Sequence, residues 1–190
     1  NMEFNINNYI SEHNKVLSKI DIKSLQQVIN IIYDAHLEGK KIITCGNGGS
    51  ASTASHMITD WNKMTTTATG KKLYGYSLTD NIGLITAYAN DTNYENVFKG
   101  QLESILDQGD ILISVSGSGN SKNLINAVKF ANENKAKTVS ILGYDGGELL
   151  KISDYYVHVP SFDMQICEDV HLMICHMVMK KLCNYQIISK

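Results

Sequence analysis

His56 and Asp60 stand one helical turn apart in GGSASTASHMITDW, residues 48–61, and Glu168, His171 and His176 cluster near the other end of the chain. Histidine and carboxylate are the pair that takes and returns protons near neutral pH, and the same types hold metal ions. A spacing of four puts His56 and Asp60 on one face of a helix. Glu168 and His176, eight apart, also return to nearly the same face, but about 12 Å apart along the axis at ~1.5 Å per residue. One ion does not easily bridge that gap on a regular helix unless a partner subunit intervenes.

Two glycine turns supply the second kind of chemistry. The β-branched run Lys41-Ile42-Ile43-Thr44-Cys45 leads into Gly46-Asn47-Gly48-Gly49-Ser50, and Ile111-Leu112-Ile113-Ser114-Val115 leads into Ser116-Gly117-Ser118-Gly119-Asn120-Ser121. Each joins a strand pattern to a helix pattern. Such a turn lets an anion approach the backbone, where the helix N-terminus offers unpaired N–H groups and the positive end of its dipole. One turn alone is equally well a packing device. Two of them at the carboxyl ends of strands in an open α/β sheet mark the ligand crevice, and phosphate is the natural guest. Asn47, Gly48, Gly49 and Ser50 on the first turn, with Ser116, Gly117, Ser118 and Ser121 on the second, are the candidate phosphate contacts. The pattern is neither G-x-G-x-x-G nor a P-loop, so no nucleotide is implied.

These groups need elements to hold them. Periodic segments predict helices over 3–18 and 22–38, the second capped by Asp21. Strands near 41–45, 73–78, 110–115, 137–143 and 155–159 then alternate with helices near 50–62, 81–88, 93–106, 121–134 and 146–152, and a long helix over 164–187 closes the chain. Alternation of this kind predicts an α/β fold: a doubly wound, five-stranded parallel sheet with helices on both faces. The single proline, Pro160, stops the last strand.

Composition narrows the class. With 190 residues, 43% of them hydrophobic, and a net charge of −2, one globular domain is expected and a dedicated nucleic-acid binder is not. All 17 basic residues are lysines, so a phosphate must be met by amides, hydroxyls, Asn or Lys rather than by an arginine fork. No apolar run is long enough for a bilayer, no signal pattern is seen, and the four cysteines form no C-x-x-C pair. A cytoplasmic protein without a membrane partner is expected.

The pair CGNGGSA and SVSGSGNSKN resembles the sugar isomerase (SIS) domain family over nearly the whole chain. Within it, the two leading helices, the His in GGSASTASH, Ala89-Asn90-Asp91 and the closing Glu168-Asp169-Val170-His171-Leu172-Met173-Ile174-Cys175-His176 are similar to the phosphoheptose isomerases. The resemblance implies one SIS domain over 1–190, whose helical segment 1–38 serves oligomer packing. It also implies an aldose–ketose isomerase of seven-carbon sugar phosphates: sedoheptulose 7-phosphate would become glycero-manno-heptose 7-phosphate through an enediol, for bacterial surface heptoses. By the same resemblance His56, Asp60, Glu168 and His176 match a zinc site, one ion per subunit, that also transfers protons, with Asp60, Glu168 and His176 as the acid/base set. Asp91 and Glu168 match sugar contacts, and a homotetramer with active sites at subunit interfaces is implied. The family usually carries Glu at the position of Asp60 and often Gln at that of Glu168. Two other readings remain: a non-catalytic SIS regulator that binds the replication initiator, and an isomerase of another sugar phosphate. Taken alone, His176 beside Cys175 and Met177 reads as a core histidine, His171 as a supporting or interface residue, and Asn90-Asp91 as a turn.

Overall fold

A computed structural model describes residues 3–184. Two helices lead, α1 (Ile6–Leu17) and α2 (Ile22–Leu37), and Asp21 caps the second by accepting from the Lys23 amide. Five strands follow: β1 (Lys41–Gly46), β2 (Tyr74–Ser77), β3 (Ile111–Ser116), β4 (Lys137–Leu142) and β5 (Tyr155–His158). All neighbours pair in parallel, in the order β2-β1-β3-β4-β5. Between them run α3 (Gly49–Thr69), α4 (Ile82–Asp91), a single 3-10 turn (Tyr94–Asn96), α5 (Lys99–Ile105), α6 (Lys122–Glu133) and α7 (Gly147–Ile152), and α8 (Met164–Leu182) ends the described chain.

The strands alternate their side chains between two apolar layers, as the pleat requires. Ile42, Ile111, Ile113, Val139, Ile141 and Val157 face a layer shared with α2, α3 and α8. Ile43, Cys45, Leu112 and Leu142 face the other, shared with α5, α6 and α7. The chain leaves β1 toward one edge and returns to place β3 on its other side. The switch point therefore lies between the ends of β1 and β3, the crevice position of open α/β sheets.

Three elements differ from the sequence pattern. The helix expected over 50–62 runs on to Thr69, with the Thr67 and Thr69 hydroxyls donating to the carbonyls of Lys63 and Thr65, and Gly70 in the left-handed region ends it. The segment expected as one helix over 93–106 is a 3-10 turn and a short α5. The closing helix stops at Leu182, and the rest of the expected 164–187 span beyond residue 184 lies outside the described residues.

α3 and α8 pack side by side along their lengths. Trp61, wholly buried, donates its indole N–H to the Cys175 carbonyl at 2.9 Å. α8 is tied to the sheet by His171, whose Nε2 meets the carbonyl of Leu142 at the end of β4 at 2.8 Å. That contact needs a proton on Nε2, and burial outweighs it in setting the charge, pushing the His171 pKa down to about 4. In the unfolded chain the imidazole takes its proton near 6.5, so between 6.5 and 4 the unfolded state holds the extra proton. Stability should therefore fall as pH drops through that window, and His36, shifted downward by burial, adds to the same trend. Thermal melts from pH 7 to 4 check this: wild type loses Tm steadily, whereas His171→Gln starts lower at pH 7 and declines less.

Candidate functional site

The switch point holds a pocket of about 270 Å³ lined by Asn47, Gly49, Ser50, Ser116, Gly117, Ser118, Ser121, Met164 and Glu168. Both glycine turns thus contribute to one cavity. The second is braced mainly by close backbone packing. Gly119 has φ +68°, and a Cβ there would run into the Gly146 carbonyl; Gly147, at φ +56°, would meet the Ser118 carbonyl at 2.5 Å. Leu149 and Glu148 complete the clamp by donating to the Gly119 carbonyl and to Asn120 Oδ1, at 3.0 Å each.

The hydroxyls of this turn are not equivalent. Ser116 is buried, and its Oγ accepts from the Gly119 amide at 2.9 Å. Ser118 Oγ accepts from the Asn120 amide at 3.2 Å. Ser121 occupies the N-cap of α6 yet makes no capping hydrogen bond. Its hydroxyl and the first amides of α6 are left for an anion.

The first turn is arranged differently. Gly48, in the left-handed region, precedes α3, and Gly49 is packed directly against the Glu168 carboxylate, in space that a Cβ would occupy. Glu168 thereby sits at the N-terminus of α3, where the helix dipole favours a negative charge. It lines the pocket.

A second group of side chains lies farther along the same two helices. His56, Asp60 and His176 bring one ligand atom each within 4.8 Å of one another. His56 Nε2 is 3.1 Å and His176 Nε2 3.5 Å from Asp60 Oδ2, and the two rings meet edge to face with centroids 5.4 Å apart. Asp60 is 22% exposed and the histidines about twice that, so a small molecule reaches the group. Glu168 is not among these three within one chain, as its separation of about 12 Å from His176 requires. Because Gly49 lies beside Glu168 while His56 and Asp60 lie beside His176, α3 and α8 run parallel, with the pocket at their shared N-terminal end.

Asp91 closes α4 as an exposed residue, its Oδ1 accepting from Asn90 at 2.9 Å, and it does not line the pocket. His171 is held by Leu142 as described above. Cys45 and Cys175 have their thiols pushed up to about 12 by burial, which removes them as nucleophiles. The sequence reading passed over Tyr94, Asn123 and Met164, which reach the pocket or its edge. No local pattern flags them. Gly146-Gly147, directly after a strand, was a readable turn signal.

The arrangement offers an anion cradle of amides and hydroxyls at one end and a proton-transferring, metal-ligating group at the other. Since Ser121 caps nothing, Ser121→Ala should leave Tm within about 1 °C while weakening a phosphate ester roughly 2–10-fold, the worth of one net hydrogen bond. Calorimetric titration alongside thermal melts checks both halves.

Comparison with known proteins places residues 8–143 in a match to the SIS domain. The phosphoheptose isomerase of Clostridium acetobutylicum is 38% identical over 158 residues, covering 83% of this chain and 80% of its own. That of Helicobacter pylori is 37% identical over 159 residues, covering 82% and 81%. The solved phosphoheptose isomerase of Neisseria gonorrhoeae superposes with a TM-score of 0.87 at 27% identity, covering 94% of this chain and 97% of its own.

Proposed function

Because the chain belongs to the SIS-domain family and, within it, to the phosphoheptose isomerases, we propose that its two sites divide one substrate between them. The enzyme is an aldose–ketose isomerase of a seven-carbon sugar phosphate, sedoheptulose 7-phosphate. Such a substrate carries its phosphate and its carbonyl at opposite ends. Correspondingly, the glycine-turn pocket lies at the N-terminal end of the α3/α8 pair and the His56/Asp60/His176 group midway along it, about 12 Å away along α8. That match is the observation that carries the proposal.

Ser118, Ser121 and the first amides of α6 would take the phosphate, with Ser50 and Asn47 at its edge. Moving the carbonyl from C2 to C1 requires a base to remove the proton on C1 and an acid to return one to C2, through an enediol. His176 serves one of these transfers and Asp60 the other; Glu168, about 12 Å from His176 in the same chain, could serve it only from a neighbouring subunit. Asp91 would meet sugar hydroxyls from outside the pocket as seen in one chain.

His56, Asp60 and His176 suit zinc. Their 3.1 and 3.5 Å separations are close to the roughly 3.3 Å between neighbouring ligands of a tetrahedral ion with ~2 Å bonds, and three protein ligands leave the open position of a catalytic site. When bound, the ion would polarise the sugar carbonyl. Asp60 lies between the two rings and holds both Nε2 atoms in place for either task.

Two features support assembly into a homotetramer with sites at subunit interfaces. Phe4, Ile6 and Ile10 are exposed at the start of the chain, consistent with residues 1–38 packing on another copy. A groove lined by Leu172, Met173 and Met177 borders His176, so a neighbour seated there would wall the site. Among the described residues no helix is long and apolar enough to cross a membrane, and all four cysteines are buried free thiols. Both suit a cytoplasmic enzyme supplying bacterial surface heptoses.

His176→Gln should fold and assemble as wild type yet lose about 10²–10⁴-fold in kcat, the usual worth of a general acid or base. Reaction of the ketose in heavy water should leave deuterium at C2 of the aldose, read by NMR. Wild-type turnover in His176→Gln, or no isomerisation of any sugar phosphate, would return the chain to the regulator reading. Purified protein should carry close to one zinc per chain by elemental analysis, and His56→Ala should lose it; full activity in metal-stripped wild type would refute the metal assignment.

A further inference from the structure

Tyr94 reaches the phosphate pocket from the 3-10 turn between α4 and α5, a segment that belongs to neither glycine turn. Its phenol donates to Asn47 Oδ1 at 2.8 Å. The same oxygen accepts from Asn123 Nδ2 at 2.9 Å, and Asn47 Nδ2 donates to Asn123 Oδ1 at 2.9 Å. Asn47 follows β1 and Asn123 lies in the first turn of α6, so this two-point amide pair ties the first glycine turn to the helix that leaves the second. Asn123 is 3% exposed, which shields the pair from water.

An asparagine amide has two acceptor positions and two N–H donors. Both acceptor positions of Asn47 are taken, one by Tyr94 and one by Asn123, and one donor is spent on Asn123. A single N–H remains, on a residue that lines the pocket. Asn47 can thus offer the ligand only a donor, the group that an anionic oxygen takes. Tyr94 is held independently of this contact. Asn126 Nδ2 donates to the Glu95 carbonyl at 3.1 Å, and Lys122 Nζ pairs with Glu95 Oε1 at 3.0 Å, so the turn is docked on α6 by its neighbours. The Tyr94 side chain is itself exposed, so its hydroxyl is not a buried structural bond.

We propose that Tyr94 is a positioning residue: through its hydroxyl it fixes the Asn47 amide as a donor to the substrate phosphate, setting affinity without touching the reacting carbons. The proposal rests on the glycine-turn pocket being the phosphate site. It gives a supporting role in ligand binding to the segment after Asp91, which carries no glycine turn.

The test is a double-mutant cycle of Tyr94→Phe and Asn47→Ala, with KM and kcat for sedoheptulose 7-phosphate and Tm measured on each variant. Tyr94→Phe removes one oxygen and should raise KM about 2–10-fold, with kcat within about twofold of wild type and Tm unchanged. Asn47→Ala should raise KM at least as much, and the double variant should match Asn47→Ala alone. If Asn47→Ala fails to fold, Asn123→Ala, which releases Asn47 from its other side, takes its place in the cycle. An unchanged KM in Tyr94→Phe, a loss confined to kcat, or effects that multiply in the double variant would each overturn the proposal. Failure of the underlying reading looks different: neither Asn47→Ala nor Ser121→Ala would then alter KM.

Discussion

The parallel seating of α3 against α8 is the constraint from which the rest of the site follows. Trp61 is wholly buried between them and spends its only polar atom on the Cys175 carbonyl, so the register of the two helices is set by a bond as well as by packing. With that register, Gly49 faces Glu168 and, two turns on, His56 and Asp60 face His176. A shift of one residue would turn these side chains to other faces and disperse both groups. His171 anchors the same helix to the end of β4, which ties the His56/Asp60/His176 group to the sheet carrying the two glycine turns.

The proposed phosphate end consists of amides and hydroxyls, and the chain has no arginine to contribute. Amides and hydroxyls bind an anion only if they are held in place beforehand, since each offers little alone. Here the holding is done by close glycine contacts. The Ser118–Gly119 backbone lies directly on Gly146–Gly147 from the next crossover, at distances no Cβ would allow. Ser116 spends its hydroxyl within the turn, so the uncommitted Ser121 is left facing outward. Glu168 brings a negative charge to the same pocket, settled at the N-terminus of α3, so the two turns differ in electrostatics although their sequences look alike.

The separation between cradle and acid/base group has a further consequence. In the proposed reading the cradle would supply binding to the phosphate, while the group at His176 would act on the barrier. A helix pair of fixed rise would then hold the two a set distance apart, so that the length of the proposed substrate decides whether its carbonyl reaches the group.

Much of this was legible in the chain itself. β-branched runs and helical patterns placed all five strands, their parallel pairing and the two glycine turns, because strand burial and helix capping are local and repeat along the sequence. The four-residue spacing of His56 and Asp60 predicts their meeting, since one helical turn decides it. What the sequence left open depended on contacts between distant segments. That His176 joins His56 and Asp60 while Glu168, on the same helix face, goes to the other pocket follows from the direction in which α8 passes α3, and no spacing encodes that. Tyr94 and Asn123 carry no motif, since their roles come from hydrogen bonds to a residue 47 and 76 positions away in sequence. Helix, strand and turn are written in local periodicity, but the address of each functional side chain is set by which surfaces the core brings together.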